Sequence, residues 1–321
     1  MALVPRLYVG TVGEGIFRSD DGGQTFARRS VGMFYECDVR ALVAHPKEPG
    51  VIYAGTSEGL YRTRNAGERW ERVDSPMNGL VVWSVHIDPR SPERLHVGTR
   101  PARLFRSADA GQSWVELRAP FQPHCNNIIY NRVTAILSDP SNPDRLWAGV
   151  EIDAVWGSVD CGETWTARES GLSSRDIHAL LLAPGGRLLA STNNDLNASD
   201  DGGQTWTPQR LAQRAEWPYF RGMAQKADDP RTILLGNGDA PPGRIGAIWR
   251  SNDGGANWEK AKLPCIPNST IWGFATHVSD PDRIFAHSVS GELYESADAG
   301  CTWSKLPREF GEIRSLLWLP S

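Results

Sequence analysis

The chain has 321 residues, 40% of them hydrophobic and 22% charged, with a formal net charge of −4. That balance suits one large globular unit and excludes a general attraction to nucleic acid or to an anionic membrane. The 32 glycines and 22 prolines imply many turns, and 13 tryptophans need a structural reason.

No apolar run of about 18 residues is present, so no transmembrane helix is expected. The start, Met1 to Arg6, has no basic segment leading into an apolar core, so no signal peptide is expected. Five cysteines at scattered positions do not suggest a disulfide framework. Cys161 and Cys301 stand in a variable slot of a repeated turn, where Gly or Ala stands elsewhere, and read as small fillers. A reducing cytoplasm is the expected location.

The first element is the alternating run Arg6-Leu7-Tyr8-Val9-Gly10-Thr11, a strand of a type here named B. A second strand, C, follows at Gly15-Ile16-Phe17-Arg18 and leads into the turn Ser19 to Phe26. That turn has the pattern Ser-x-Asp-x-Gly-x-Thr-Trp, with Phe26 in the Trp place. A strand D leaves it. The pattern returns six times, as in Ser107-Ala108-Asp109-Ala110-Gly111-Gln112-Ser113-Trp114. Its acidic position falls at Asp21, Asn65, Asp109, Asp160, Asp201, Asp253 and Asp298, spaced 41 to 52 residues apart. That period matches a four-stranded propeller blade.

A fourth strand type, A, precedes B and runs up to a proline: Val39 to Pro46, Val82 to Pro89, Val133 to Pro140, Ile177 to Pro184, Phe220 to Pro230, Ile271 to Pro281 and Ile313 to Pro320. The chain opens on a strand B and closes on a strand A. The last strand is therefore expected to complete the first blade, which removes an open sheet edge. Residues 1–321 form one domain on this reading: an all-β, seven-bladed propeller of four-stranded antiparallel blades.

The boxes are turn devices. The Asp accepts backbone N–H bonds, the Gly supplies a left-handed conformation, and the Trp covers the seam between blades. A catalytic group would not be copied seven times. The pattern resembles the BNR, or Asp-box, repeat family, which includes sialidases, related glycoside hydrolases, sorting-receptor ectodomains and a photosystem II assembly factor. The resemblance covers essentially the whole chain. It implies a propeller whose boxes lie on the face opposite the ligand. Sialidases usually have six blades and an Arg-Ile-Pro motif near the start; neither is seen, so sialidase activity is not expected.

The seven A strands should start around the mouth of a central channel, on the face away from the boxes. Aligned, their first residues are apolar (Val39, Val82, Val133, Ile177, Phe220, Ile271, Ile313) and their third residues small. Between them stands Arg40, Trp83, Thr134, His178, Arg221, Trp272 and Arg314. Alternation along a strand turns this middle column to the other face, into the channel. Arginine forks suit a carboxylate, sulfate or phosphate, and Trp faces suit a ring or a cation. The expected ligand is a small anion, such as a sugar acid or an aromatic acid, held by Arg40, Arg221 and Arg314 with Trp83 and Trp272 stacking. The competing reading has these arginines pair with loop carboxylates such as Glu36 or Asp38 and close the channel.

Long connections reach the same face. Pro120 to Asn131 carries His124, Cys125, Asn126, Asn127 and Tyr130. Another carries Trp217 and Tyr219, and the loop Asn237 to Gly246 holds Asp239 and Arg244. Glu151 and Asp153 follow the B strand of blade 4. His178, Glu151 and Asp153 are the candidate acid–base groups for hydrolase or lyase chemistry, glycosidase-like in type. His287 replaces a glycine of the B strands and joins Tyr130 as a candidate ligand contact. No metal or cofactor is expected. The alternative function is a non-catalytic scaffold that docks an acidic protein partner through the Arg-rich face.

Overall fold

The computed structural model describes residues 4–125 and 129–321. Seven four-stranded antiparallel sheets follow one another along the chain, each in the order A-B-C-D. The inner strands are Val39–Ala44, Val81–Ile87, Val133–Asp139, Ile177–Leu182, Tyr219–Gln225 and Ile271–Thr276 for blades 2 to 7, and Ile313–Pro320 for blade 1. Each inner strand contacts those of the two neighbouring blades, and the contacts close into a ring. The prolines expected at the strand exits mostly lie one or two residues beyond the last ladder pair.

Blade 1 joins the two ends of the chain. Ile313–Pro320 pairs with Pro5–Thr11, which pairs with Ile16–Ser19 and then Ala27–Arg28. Trp318, fully buried, packs with Leu7 and Val9 of the first strand and with Phe285 of blade 7.

The boxes turn the chain between strands C and D. In the third, the Ser107 hydroxyl and the N–H groups of Gln112 and Ser113 donate to one oxygen of Asp109, while the Ser113 hydroxyl donates to the other at 2.6 Å. These bonds, led by those from Ser113, hold the carboxyl near pKa 2. Gly111, at φ +87°, takes the left-handed step. Asn65 supports the second box through the Thr63 hydroxyl and the Arg69 N–H.

The box tryptophans sit on the seams, as their size demands. Trp70 donates to the Arg29 carbonyl and Trp206 to that of Arg168, each in the preceding blade. Trp165, Trp258 and Trp303 pack among core residues of the blade before their own. Seam bonds also run forward. Tyr8 and Tyr53 of the B strands reach the carbonyls of Ala66 and Ala110 in the next box.

Candidate binding site at the channel mouth

Every inner strand begins with a β-bulge. In blade 2, Val39 pairs with Thr56 and Ala41 with Gly55, so Arg40 has no partner in the ladder. The same slip frees Trp83, Thr134, His178, Trp272 and Arg314, and in blade 6 Arg221 with Gly222. These are the seven residues of the middle column. Simple alternation was expected to aim them; the bulge does so instead, because the extra residue bends the strand and re-aims its side chain.

A bulge also disturbs the ladder around it, and backbone carbonyls there need new donors. The preceding blade supplies them. The Ser315 hydroxyl donates to Val39 O, that of Ser84 to Val133 O at 2.8 Å, and that of Thr134 to Ile177 O at 2.7 Å. His178 does the same for Phe220 O through Nδ1, at 2.6 Å. One task of His178 is therefore to link blades 5 and 6.

The column converges across the channel. Arg221 of blade 6 reaches past blade 5 to Glu151 of blade 4, at 4.0 Å. Two indoles are each flanked by two guanidiniums. Arg40 and Arg132 lie 4.9 and 4.1 Å from the Trp83 ring centre, and Arg221 and Arg314 lie 4.0 and 4.4 Å from that of Trp272. The indole faces expected to stack on a ligand are thus in contact with the chain's own cations.

The arginines are matched by acids. Asp38 accepts from Arg40 at 2.6 Å, and Glu312 pairs with Arg314 and lies 3.8 Å from Arg40. Glu151 pairs with Arg132, and Asp176 lies 3.4 Å from His178. Tyr219 accepts from Arg221 at 3.3 Å. Four of these partners, Asp38, Asp176, Tyr219 and Glu312, stand two residues before the bulge residue they meet. Burial, then the like charges of Arg221, Arg100, Arg314 and Arg40, disfavour the cationic form of Arg132. Burial likewise pushes Arg314 down to about 10. The Glu151 and Glu312 carboxylates offset that crowding.

Of the expected site residues, Arg40, Trp83, His178, Arg221, Trp272, Arg314 and Glu151 meet at the mouth. Three do not join them. Asp153 is 1% exposed, accepts the Gln122 N–H at 2.8 Å and meets Arg175 at 3.2 Å. It braces a connection, and burial raises its pKa. His287 is 1% exposed and its ring lies over Gly273, where an added Cβ would meet Nε2 at 2.8 Å. Burial takes it down to about 4. Tyr130 is on a short hairpin with His124, their ring centres 4.9 Å apart, and is 38% exposed. Asn126 and Asn127 lie outside the described residues. Asp239 accepts the Arg244 N–H and shapes its own loop. Of the two loop acids that could have closed the channel, Asp38 does pair with Arg40, whereas Glu36 is exposed.

The rim differs from the mouth. Phe34 and Tyr35, in the connection from blade 1 to blade 2, are 54% and 74% exposed, and Arg28 lies 4.0 Å from the Tyr35 ring centre. Ile129 and Tyr130 project between blades 3 and 4, and Ile266 between blades 6 and 7. On the box face a cleft of about 680 Å³ runs along His45, Lys47, Arg64 and His277. Its histidines are spent on turns, accepting N–H bonds from Lys47, Glu48 and Ser279.

A family model described as the DUF6242 beta propeller domain matches residues 99–316. The chain belongs to this family. The DUF6242 propeller is also 23% identical, over 84% of its length, to a xyloglucanase of Hypocrea jecorina, of which it spans 38%. An ancestral GH74 enzyme superposes on 88% of the chain with a TM-score of 0.63 at 16% identity, the match covering 38% of that enzyme. A YCF48 structure described as bound to D1 peptide superposes on 86%, with a TM-score of 0.55, 18% identity and 87% of its own chain covered. No helix among the described residues is long and apolar enough to cross a membrane.

Proposed function

We propose that the face carrying the channel mouth binds a glycan, and that the protein is a glycoside hydrolase-like binding propeller. The observation that carries this reading is the pairing of exposed rings with a dense polar floor. Phe34 and Tyr35 lie in the connection from blade 1 to blade 2, with Tyr35 over Arg28 of an outermost strand, and Tyr130 lies in that from blade 3 to blade 4; arginines held by carboxylates line the mouth. Neutral sugars are held by such sets: aromatic faces for the C–H surfaces, and fixed donors and acceptors for the hydroxyls. The sequence similarity to xyloglucanases supports the same substrate class.

A small carboxylate is the weaker ligand, because Asp38, Glu151 and Glu312 already fill the arginine forks. Glycoside hydrolysis asks for two carboxyl groups, one of which can protonate the leaving oxygen. Asp38, Glu151, Asp176 and Glu312 each face an Arg or a His, so the mouth alone is suited to binding rather than to cleavage. A second reading, docking of a peptide segment, is favoured by the exposed aliphatic groups Val31, Ile129 and Ile266, and by the YCF48 likeness.

Calorimetric titration with neutral xylose-branched β-glucan oligosaccharides separates the two. Binding should be seen, weakened about 2- to 10-fold by Tyr35→Ala or Tyr130→Ala, the range of one aromatic contact, with no reducing ends released. If no neutral glycan binds, the reading fails; if the same variants then lose a peptide ligand, docking takes its place.

A further inference from the structure

We propose that Glu151, Asp176 and His178 form a binding site for one divalent transition-metal ion, of the zinc type, beside the channel mouth. One donor atom from each lies within 4.8 Å of the other two. The case rests on His178. Its side chain is fully buried, and its Nδ1 is 2.6 Å from the Phe220 carbonyl oxygen. A carbonyl only accepts, so the ring proton is on Nδ1 and Nε2 presents a lone pair. Among the described residues that Nε2 has no hydrogen-bond partner, and neither does the Asp176 Oδ1 that it faces at 3.4 Å.

Two buried acceptors facing each other need something between them. A metal ion fits the gap. With zinc–nitrogen and zinc–oxygen bonds of about 2.1 Å, adjacent ligands of a tetrahedron are about 3.4 Å apart. The Nδ1 bond to a backbone carbonyl is the orienting contact that zinc-binding histidines commonly make.

Glu151 supplies the third donor from blade 4, and a water would complete a four-coordinate shell. Arg132 and Arg221 also hold Glu151, so they compete with the ion for it and keep affinity below that of a thiolate site. One imidazole and two carboxylates favour zinc, cobalt or manganese over magnesium and calcium, which prefer all-oxygen sets. The ion would tie blade 4 to blade 5, and through Phe220 to blade 6.

The test uses the full chain, stripped with a chelator and titrated with zinc chloride, with melting temperature and calorimetry as readouts. One equivalent should bind and raise the melting temperature by a few degrees. Cobalt should give the intense visible absorption of a four-coordinate site. Asp176→Asn and Glu151→Gln, which keep size and packing, should bind at least tenfold more weakly. The metal-free melting temperature of Asp176→Asn should stay close to that of the parent, which separates loss of the site from loss of the fold, whereas Glu151→Gln should also lower it, because Arg132 and Arg221 lose their buried carboxylate. The proposal is overturned if the stripped protein binds no zinc. It is equally overturned if both variants bind as the parent does, which would place the metal on an exposed histidine such as His124.

Discussion

His96 shows how far a single side chain departs from the repeat. Its column holds Tyr8, Tyr53 and Trp147, each of which donates to a carbonyl of the next box: Ala66, Ala110 and Gly202. His96 is 1% exposed, and among the described residues both its ring nitrogens lack partners. In that seam, among the described residues, the Cys161 carbonyl accepts from the Arg106 side chain alone, at 2.7 Å. His96→Tyr should restore the missing bond and stabilise the protein by about 1 kcal/mol, seen as a rise of a few degrees in melting temperature. A lower melting temperature would mean that this seam is too narrow for the larger ring. The same residue sets an acid limit. Burial lowers His96 to about 3, and lowers His86 and His287 to about 4. Their folded values lie below the ordinary 6.5, so the unfolded chain takes up protons first. Their contribution is complete above pH 6.5 and is lost progressively as the pH falls from 6.5 to about 4, and for His96 to about 3. Denaturant midpoints measured from pH 7 to pH 4 should therefore decline, and decline less in His96→Tyr.

The bulged start of the inner strand is the element on which both stability and the mouth depend. Ser84 is 8% exposed and its hydroxyl satisfies a buried carbonyl of the next blade. Ser84→Ala should cost about 1–3 kcal/mol, the penalty for a buried acceptor left without a donor, measured by urea unfolding. A change below about 0.5 kcal/mol would show that water replaces the hydroxyl. Much of this element is legible in the sequence, since seven aligned starts isolate Arg40, Trp83, Thr134, His178, Arg221, Trp272 and Arg314. The bulge itself is not, because a one-residue slip against the B strand leaves no mark on a period of two. Arg132, Asp176 and Glu312 lie outside those aligned columns for a simpler cause. They occupy the residue just before each apolar start, and aligning one position further back exposes the column Asp38, Val81, Arg132, Asp176, Tyr219, Thr270 and Glu312. That His287 is buried over Gly273 could not be read at all, since it depends on a glycine contributed by the neighbouring strand.

At the scale of the whole ring, stability is tied to one joint. Propeller blades contact mainly their neighbours, so a ring open at one seam keeps most local contacts but exposes two faces. Here the seam is covalently broken within blade 1, where Ile313–Pro320 supplies the inner strand to a sheet begun by Pro5–Thr11. Trp318 is the largest group buried there, against Leu7, Val9 and Phe285. Trp318→Ala should destabilise by about 3–5 kcal/mol, the usual range for emptying a site of that size. The loss falls on blades 1 and 7 together. Removing residues 313–321 should go further, taking away the inner strand, the Glu312-linked Arg314 and the Ser315 bond to Val39. The shortened chain should lose the single cooperative transition and become open to proteolysis in its first three strands, because Pro5–Thr11 then has an unpaired edge. If it instead melts in one step near the parent temperature, the six remaining blades hold the ring, and the terminal strand is a cover and not a clasp.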